Sequence, residues 1–258
     1  MDRRDLLKRS AALGFMTAVP VSFATKSGIS SQAGASRSSS EPASSVAGPN
    51  PLMLPANGKI PVAFPISADA RVIDYAGPWA VFEWDDHFQL YTVAEALQPV
   101  VTSDGLTIVP NYTFGTAPKP RIIVIPGQKG DTEAMVQWIR KSAENADLTM
   151  SVCVGASVLA RTGLLDGKAA TNHHYSYKSF ASRFPKVQLQ RGVRWVEEGN
   201  LATAAGETAG IDLALHVVER YFGRGVARHV AESMEYLSQS WMDVNSSALY
   251  AETSQAEP

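Results

Sequence analysis

The one cysteine of the chain, Cys153, stands in Ser151-Val152-Cys153-Val154-Gly155, behind a short apolar run and where a strand should turn sharply into a helix. A side chain held at such an elbow is lifted above the sheet, and glycine two positions on lets the next helix pack close against the strand. Cys153 is therefore a candidate nucleophile. The amides that follow, from Val154 and Gly155, would direct N–H groups at whatever sits on the sulfur. They offer an oxyanion site and a positive helix end, both of which favour thiolate over thiol. The alternative for a lone cysteine is a small buried hydrophobe.

Three further strand ends carry groups that could serve a nucleophile. Val72-Ile73-Asp74-Tyr75-Ala76-Gly77-Pro78 places Asp74 just before a helix that Pro78 can start at its first position, so the acid could face the site or be a plain turn residue. Pro126-Gly127-Gln128 supplies a glycine turn whose backbone can approach a ligand. The Gly127 amide is either a second oxyanion donor or part of a structural turn. Ala169-Ala170-Thr171-Asn172 leads into His173-His174, and imidazole can take a proton from a thiol or give one to a leaving group near neutral pH. Adjacent residues on an extended segment point to opposite faces and no ligand set stands nearby, so neither a metal nor another cofactor is expected. His216 and His229 fall in apolar helical stretches and read as satisfied core or surface residues. His87, in Asp85-Asp86-His87, reads as a solvated loop residue.

The elements that must position these groups alternate between short β-rich runs and helical stretches. Strands are expected over Ile60 to Ile66, Phe88 to Ala94, Arg121 to Ile125 and Thr149 to Val152, with Leu106 to Val109 in a hairpin beside the main sheet. The run after Arg121 is apolar without alternation, as in a central parallel strand covered on both faces. Helices are expected from Asp131, as an acidic cap, to Asn145, from Gly155 to Thr162, and from Tyr175 to Phe184. Short strands at Val193 to Val196 and Leu201 to Thr203 precede closing helices over Glu207 to Phe222 and Val226 to Gln239. This order predicts an α/β sandwich around a mostly parallel sheet, with functional groups at the carboxyl ends of its strands.

With 45% hydrophobic and 19% charged residues in a chain of 258, there is enough to bury a sizeable core. Arg3-Arg4 ahead of the apolar stretch Ala11 to Ala24 resembles a twin-arginine export signal, with cleavage expected near Ser22-Phe23-Ala24. It is too short for a spanning helix, which needs about 20 apolar residues. An uncleaved surface helix is the alternative. Residues 25 to 58 carry nine serines without periodicity and read as a disordered linker before a domain over 59–242 and a polar tail over 243–258. Removing residues 1–24 leaves 19 basic against 23 acidic side chains, which argues against nucleic acid as a partner. A periplasmic or secreted protein with one cysteine has no internal disulfide, so its stability must come from the core.

Taken together, Asp74 to Pro78, Ile125-Pro126-Gly127, Ser151 to Ala156, Leu164 to His173, Glu198 to Gly206 and Gly210 to His216 resemble the ThiJ/PfpI superfamily. That superfamily lies within the class I glutamine amidotransferase-like group. The resemblance spans about Ile60 to Gln239, and its nearest branches look like the isonitrile hydratases and the amidase-like domain of AraC-type regulators. It implies a flavodoxin-like three-layer sandwich with Cys153 as nucleophile, Asp74 as the acid beside the sulfur and His173 as the histidine after the elbow helix. Proximity of acid and thiol would raise the pKa of the one and lower that of the other. Two positions depart from the hydratase pattern. Val154 stands where threonine is usual, and Gln128 replaces a second glycine, which would narrow that wall of the pocket or make it more polar. No His-x-Glu pair follows the cysteine, against glutamine amidotransfer.

The reading is an exported, cysteine-dependent enzyme acting on a small electrophile, possible as a homodimer, with the export machinery as its other partner and no stable membrane anchor. The rival is a non-catalytic binding or redox-sensing domain without DNA binding, since only 19 residues follow Gln239.

Overall fold

The computed structural model describes residues 51–55 and 58–252. The expected signal over 1–24 and most of the expected linker lie outside the described residues. Packing onto the domain begins before the boundary expected at residue 59. The Leu52 N–H donates to the Arg220 carbonyl at 2.8 Å, and Arg121 Nη2 donates to the Met53 carbonyl at 3.0 Å.

The chain runs β1 (Ile60–Pro65), α1 (Val72–Phe82), β2 (Phe88–Ala94), β3 (Val100–Val101), β4 (Thr107–Ile108), β5 (Tyr112–Thr113), β6 (Ile122–Ile125), α2 (Glu133–Ala143) and β7 (Leu148–Ser151). It continues as α3 (Gly155–Arg161), β8 (Ala169–Ala170), α4 (Tyr177–Arg183), β9 (Gln188–Leu189), β10 (Trp195–Glu198), β11 (Leu201–Ala204), α5 (Ala209–Phe222) and α6 (Arg224–Ser233). Among the described residues seven strands form the main sheet in the order β10-β11-β7-β6-β1-β2-β5, and only the β10–β11 pair is antiparallel. The hairpin expected at Leu106 to Val109 is β4 paired with β3.

The unbroken apolar run of β6 is explained by its two covered faces. Ile122 and Val124 join a core layer with α1, α5 and α6, whereas Ile123 and Ile125 join a second layer with α2, α3 and α4. Successive side chains of a strand point to opposite faces, so a strand between two helix layers needs apolar residues at every position. Ile123 is fully buried, and cutting it to alanine would cost about 2–5 kcal/mol.

Two local expectations are corrected. Pro78 does not begin the first helix but lies inside it, and Asp74 falls in that helix's first turn. Proline lacks the N–H that would bond four residues back, and its i−4 partner is Asp74 itself, so the carbonyl left without that bond belongs to the site. The cap of α2 is Thr132, whose side chain accepts from the Met135 N–H at 3.2 Å, while Asp131 pairs with Arg161 instead. No described helix is long and apolar enough to cross a membrane.

Candidate active site

Strand order reverses between β1 and β6, and the groups of interest gather at the carboxyl ends of β6, β7 and β11, where α/β folds place their ligand crevices. Cys153 follows β7 with φ 57°, in the left-handed region that a residue with a Cβ adopts only under constraint. The constraint is visible on both sides. The Val152 N–H donates to the Ile125 carbonyl at 2.9 Å and the Cys153 N–H to the Ala205 carbonyl at 2.9 Å. Gly155 is obligatory, because a Cβ there would run into the Ile125 and Pro126 carbonyl groups. The elbow is thus held by its neighbouring strands.

Asp74 is fully buried, and its carboxyl lies within hydrogen-bonding reach of the Cys153 sulfur. Gly127 donates its N–H to Asp74 Oδ2 at 2.9 Å, and the Gly127 carbonyl accepts from the Arg71 N–H at 2.8 Å. This reciprocal pair locks the start of α1 to the end of β6. Asp74 Oδ1 is buried and has no hydrogen-bond partner among the described residues. A Cβ on Gly127 would sit 2.7 Å from Val154 Cγ2 and 2.9 Å from Asp74 Oδ2, so only glycine leaves room for the acid.

The oxyanion assignments change accordingly. Gly127 is not a free donor, since its N–H belongs to Asp74. Gly155 donates to the Val152 carbonyl at 2.9 Å and is likewise engaged. The amides that face the sulfur are those of Val154, as expected, and Glu207, which sequence reasoning missed. Glu207 follows β11 as Cys153 follows β7, and the same strand-end argument could have found it. Its carboxylate pairs with Arg71 at 3.5 Å, both side chains being largely exposed at the mouth of the site.

Electrostatics reverse one expectation. Burial, then the Asp74 charge, push the Cys153 thiol up to about 12, against the pull of the Val154 and Glu207 amides. A depressed thiol pKa was expected from the helix start, but α3 is short and the sulfur is almost wholly out of water. Burial raises Asp74 to about 7, with the Gly127 N–H acting the other way. Burial therefore holds protons on both members of the pair to higher pH than either free group would, and the carboxyl ionises before the thiol.

His173 lies over Gly206, next to the loop that carries Glu207, and its Nδ1 accepts from the Tyr175 N–H at 3.3 Å. That places the neutral ring's proton on Nε2. Burial, then His174, lower its pKa, so it is uncharged at neutral pH. Among the described residues no hydrogen bond joins His173 to Cys153. The two histidines do not face apart: His174 opens a 3₁₀ turn, and the rings stack at 4.5 Å. Among the described residues no cluster of three potential ligands could hold a metal.

Gln128 does not line the pocket, contrary to expectation. Its Oε1 accepts from the Ser67 N–H at 2.7 Å and its Nε2 donates to the Pro65 carbonyl at 3.2 Å, tying β6 to the loop after β1. His216 meets Glu197 at 2.9 Å and His87 meets Asp85 at 2.6 Å, while His229 is exposed, all outside the site.

Fold and site together define an α/β protein with a cysteine elbow and a buried acid against the sulfur. The chain belongs to the DJ-1/PfpI family, whose profile matches residues 61–220. It is 33% identical over 180 residues to the isonitrile hydratase of Pseudomonas putida, across 68% of this chain and 78% of that one. A transcriptional regulator of Pseudomonas aeruginosa, GbdR, is 28% identical over 153 residues, and the match spans only 41% of the regulator's length. Among solved structures, a ThiJ/PfpI family protein from Pseudomonas syringae superposes with a TM-score of 0.64 at 30% identity, covering 70% of this chain and 77% of that one.

Proposed function

We propose that this protein is a cysteine-dependent enzyme that adds water to a small uncharged electrophile, of the isonitrile hydratase type. The observation that carries the reading is the buried Asp74 carboxyl held against a strained cysteine by the Gly127 amide. The likeness to a hydratase at 33% identity supports it.

Above about pH 7 the Asp74 carboxylate is the base. It takes the thiol proton as sulfur bonds to the terminal isonitrile carbon, and returns that proton to the carbon, leaving a thioimidate, R–N=CH–S–Cys153. Water then adds to the same carbon. Asp74 accepts one of its protons and passes it to the substrate nitrogen, giving R–NH–CH(OH)–S–Cys153; as the C–S bond breaks the hydroxyl proton moves through Asp74 to the sulfur, releasing the formamide R–NH–CHO and the thiol. The Val154 and Glu207 amides stabilise charge developing on sulfur, and His173 acts as an Nε2–H donor to the bound molecule. Val154 offers no hydroxyl where the hydratase branch has one, so Asp74 carries the proton traffic.

The test is to incubate wild type and Cys153→Ala with a set of isonitriles, aldehydes and amides and to follow products by mass spectrometry. Turnover of an isonitrile to its formamide by wild type alone is the expected result. Binding without turnover by either protein would establish the second reading, a small-molecule sensor, which the regulator relatives and the un-ionised thiol favour. Export through the Arg3-Arg4 signal, and a homodimer read by light scattering, complete the proposal.

A further inference from the structure

We infer that residues 243–252 form a strap that walls the substrate pocket and restricts it to an uncharged group about the size of one ring. The substrate side of this inference rests on the reading of Cys153 as nucleophile. Beside the elbow lies a cavity of about 250 Å³ whose lining includes His173, Arg194, Ala205, Glu207, Ser247 and Tyr250. It adjoins the sulfur through two of these, since the Ala205 carbonyl accepts the Cys153 N–H at 2.9 Å and the Glu207 N–H faces Sγ.

The segment read from the sequence as a polar tail is built into this wall. Trp241 is buried at its start, the Arg194 N–H donates to the Val244 carbonyl at 2.5 Å, Ser247 is 3% exposed, and Ala251 sits against the Gly192 backbone. Tyr250 then stacks on His174 with ring centroids 4.3 Å apart and planes 19° apart. An apolar cavity of about 150 Å³ holds one benzene ring, so this one has room for a ring with a short substituent. The charges around it are compensated within the protein. Arg194 is held by Asp212 at 2.6 Å and by Thr208 at 2.8 Å, and Arg71 faces Glu207 at 3.5 Å. Among the described residues Arg191 has no acidic partner, but it is exposed, stacked over the Tyr177 ring at 5.6 Å and not among the lining side chains, so an ionised group inside the cavity would lose its hydration without a counter-charge there. The strap lies beyond residues 61–220, the stretch that the family profile matches.

The test uses the full chain and two readouts. The first is the rate of Cys153 labelling by iodoacetamide and by its bulky N-pyrenyl analogue, measured by intact mass for wild type, Tyr250→Ala and Tyr250→Phe. Removing the ring should raise labelling by the bulky reagent about tenfold relative to the small one, and Tyr250→Phe should keep the wild-type ratio. An unchanged ratio in a folded Tyr250→Ala, or no labelling by any reagent in either protein, overturns the inference. The second readout is turnover of methyl, cyclohexyl, adamantyl and carboxymethyl isonitriles. Wild type should prefer cyclohexyl to adamantyl and carboxymethyl, and Tyr250→Ala should gain adamantyl. A shifted labelling ratio with no turnover leaves the strap standing and removes the hydratase. Turnover with a flat ratio does the reverse.

Discussion

At Asp74 the same burial that tunes the chemistry weakens the fold. A carboxyl whose folded pKa is raised contributes stability that is complete below its ordinary value of 3.8 and is lost as pH rises through about 7. The full effect is about 4 kcal/mol, so Asp74→Asn should match wild type near pH 4 and exceed it in denaturant midpoint at pH 8. A constant difference between the two proteins across that range would count against a buried, neutral acid. In wild type, turnover should rise as pH passes about 7, where the base is freed, and Asp74→Asn should lose that limb together with roughly 10²–10⁴-fold in rate. Cys153 carries strain of another kind. Because its φ is 57°, Cys153→Gly should be about 1 kcal/mol more stable than Cys153→Ala, although both lack turnover. Equal unfolding midpoints for the two variants would mean that the elbow stores no backbone strain.

At the scale of elements, the site is a junction of chain turns held by glycines that do different work. Gly155 lets α3 approach the β6 backbone, where the obstructing atoms are carbonyls that cannot swing away. Gly155→Ala should therefore cost about 3 kcal/mol, at the upper end for overpacking, and should be read in thermal unfolding. Gly127 spares room for side chains instead. Gly127→Ala should fold with a smaller loss but push Asp74 from the sulfur, lowering turnover by about 10²-fold as a misplaced catalytic group does. If Gly127→Ala retained full turnover and the limb near pH 7, the Gly127–Asp74 contact would be structural only. Pro78 belongs to the same junction, since it sits in α1 opposite Gly210 of α5, where a Cβ would come within 3.4 Å of its ring.

For the whole molecule, the N-terminal segment decides where it works. If Arg3-Arg4 directs export, changing both to lysine should leave full-length precursor in the cytoplasm of the producing bacterium, whereas wild type should appear shortened outside it. Fractionation followed by mass spectrometry of the N-terminus reads both at once. Full-length wild type in the cytoplasm would remove export from the proposal. The sandwich itself makes few demands on its surroundings, because its core layers on either face of the sheet are continuous and apolar and the single cysteine forms no disulfide.

By itself the sequence determined the sandwich, the strands β1, β2, β6 and β7 to within a residue or two, and the elbow at Cys153. These follow from local rules, in which apolar runs of strand length and glycine spacing report directly on backbone geometry. It also brought Asp74 and His173 forward as candidates, through positions at strand ends. Tertiary structure decided what each of them faces. Only packing shows that the Gly127 amide is spent on the carboxylate, that Glu207 supplies the second amide to the sulfur, and that Gln128 turns away. Burial, which no window of sequence reports, reversed the direction of the thiol's pKa. The strap was invisible for a related reason. Residues 243–252 mix polar and apolar side chains without a period, and their role comes from where the folded surface receives Trp241, Ser247 and Tyr250, contacts that span the chain and leave no local pattern.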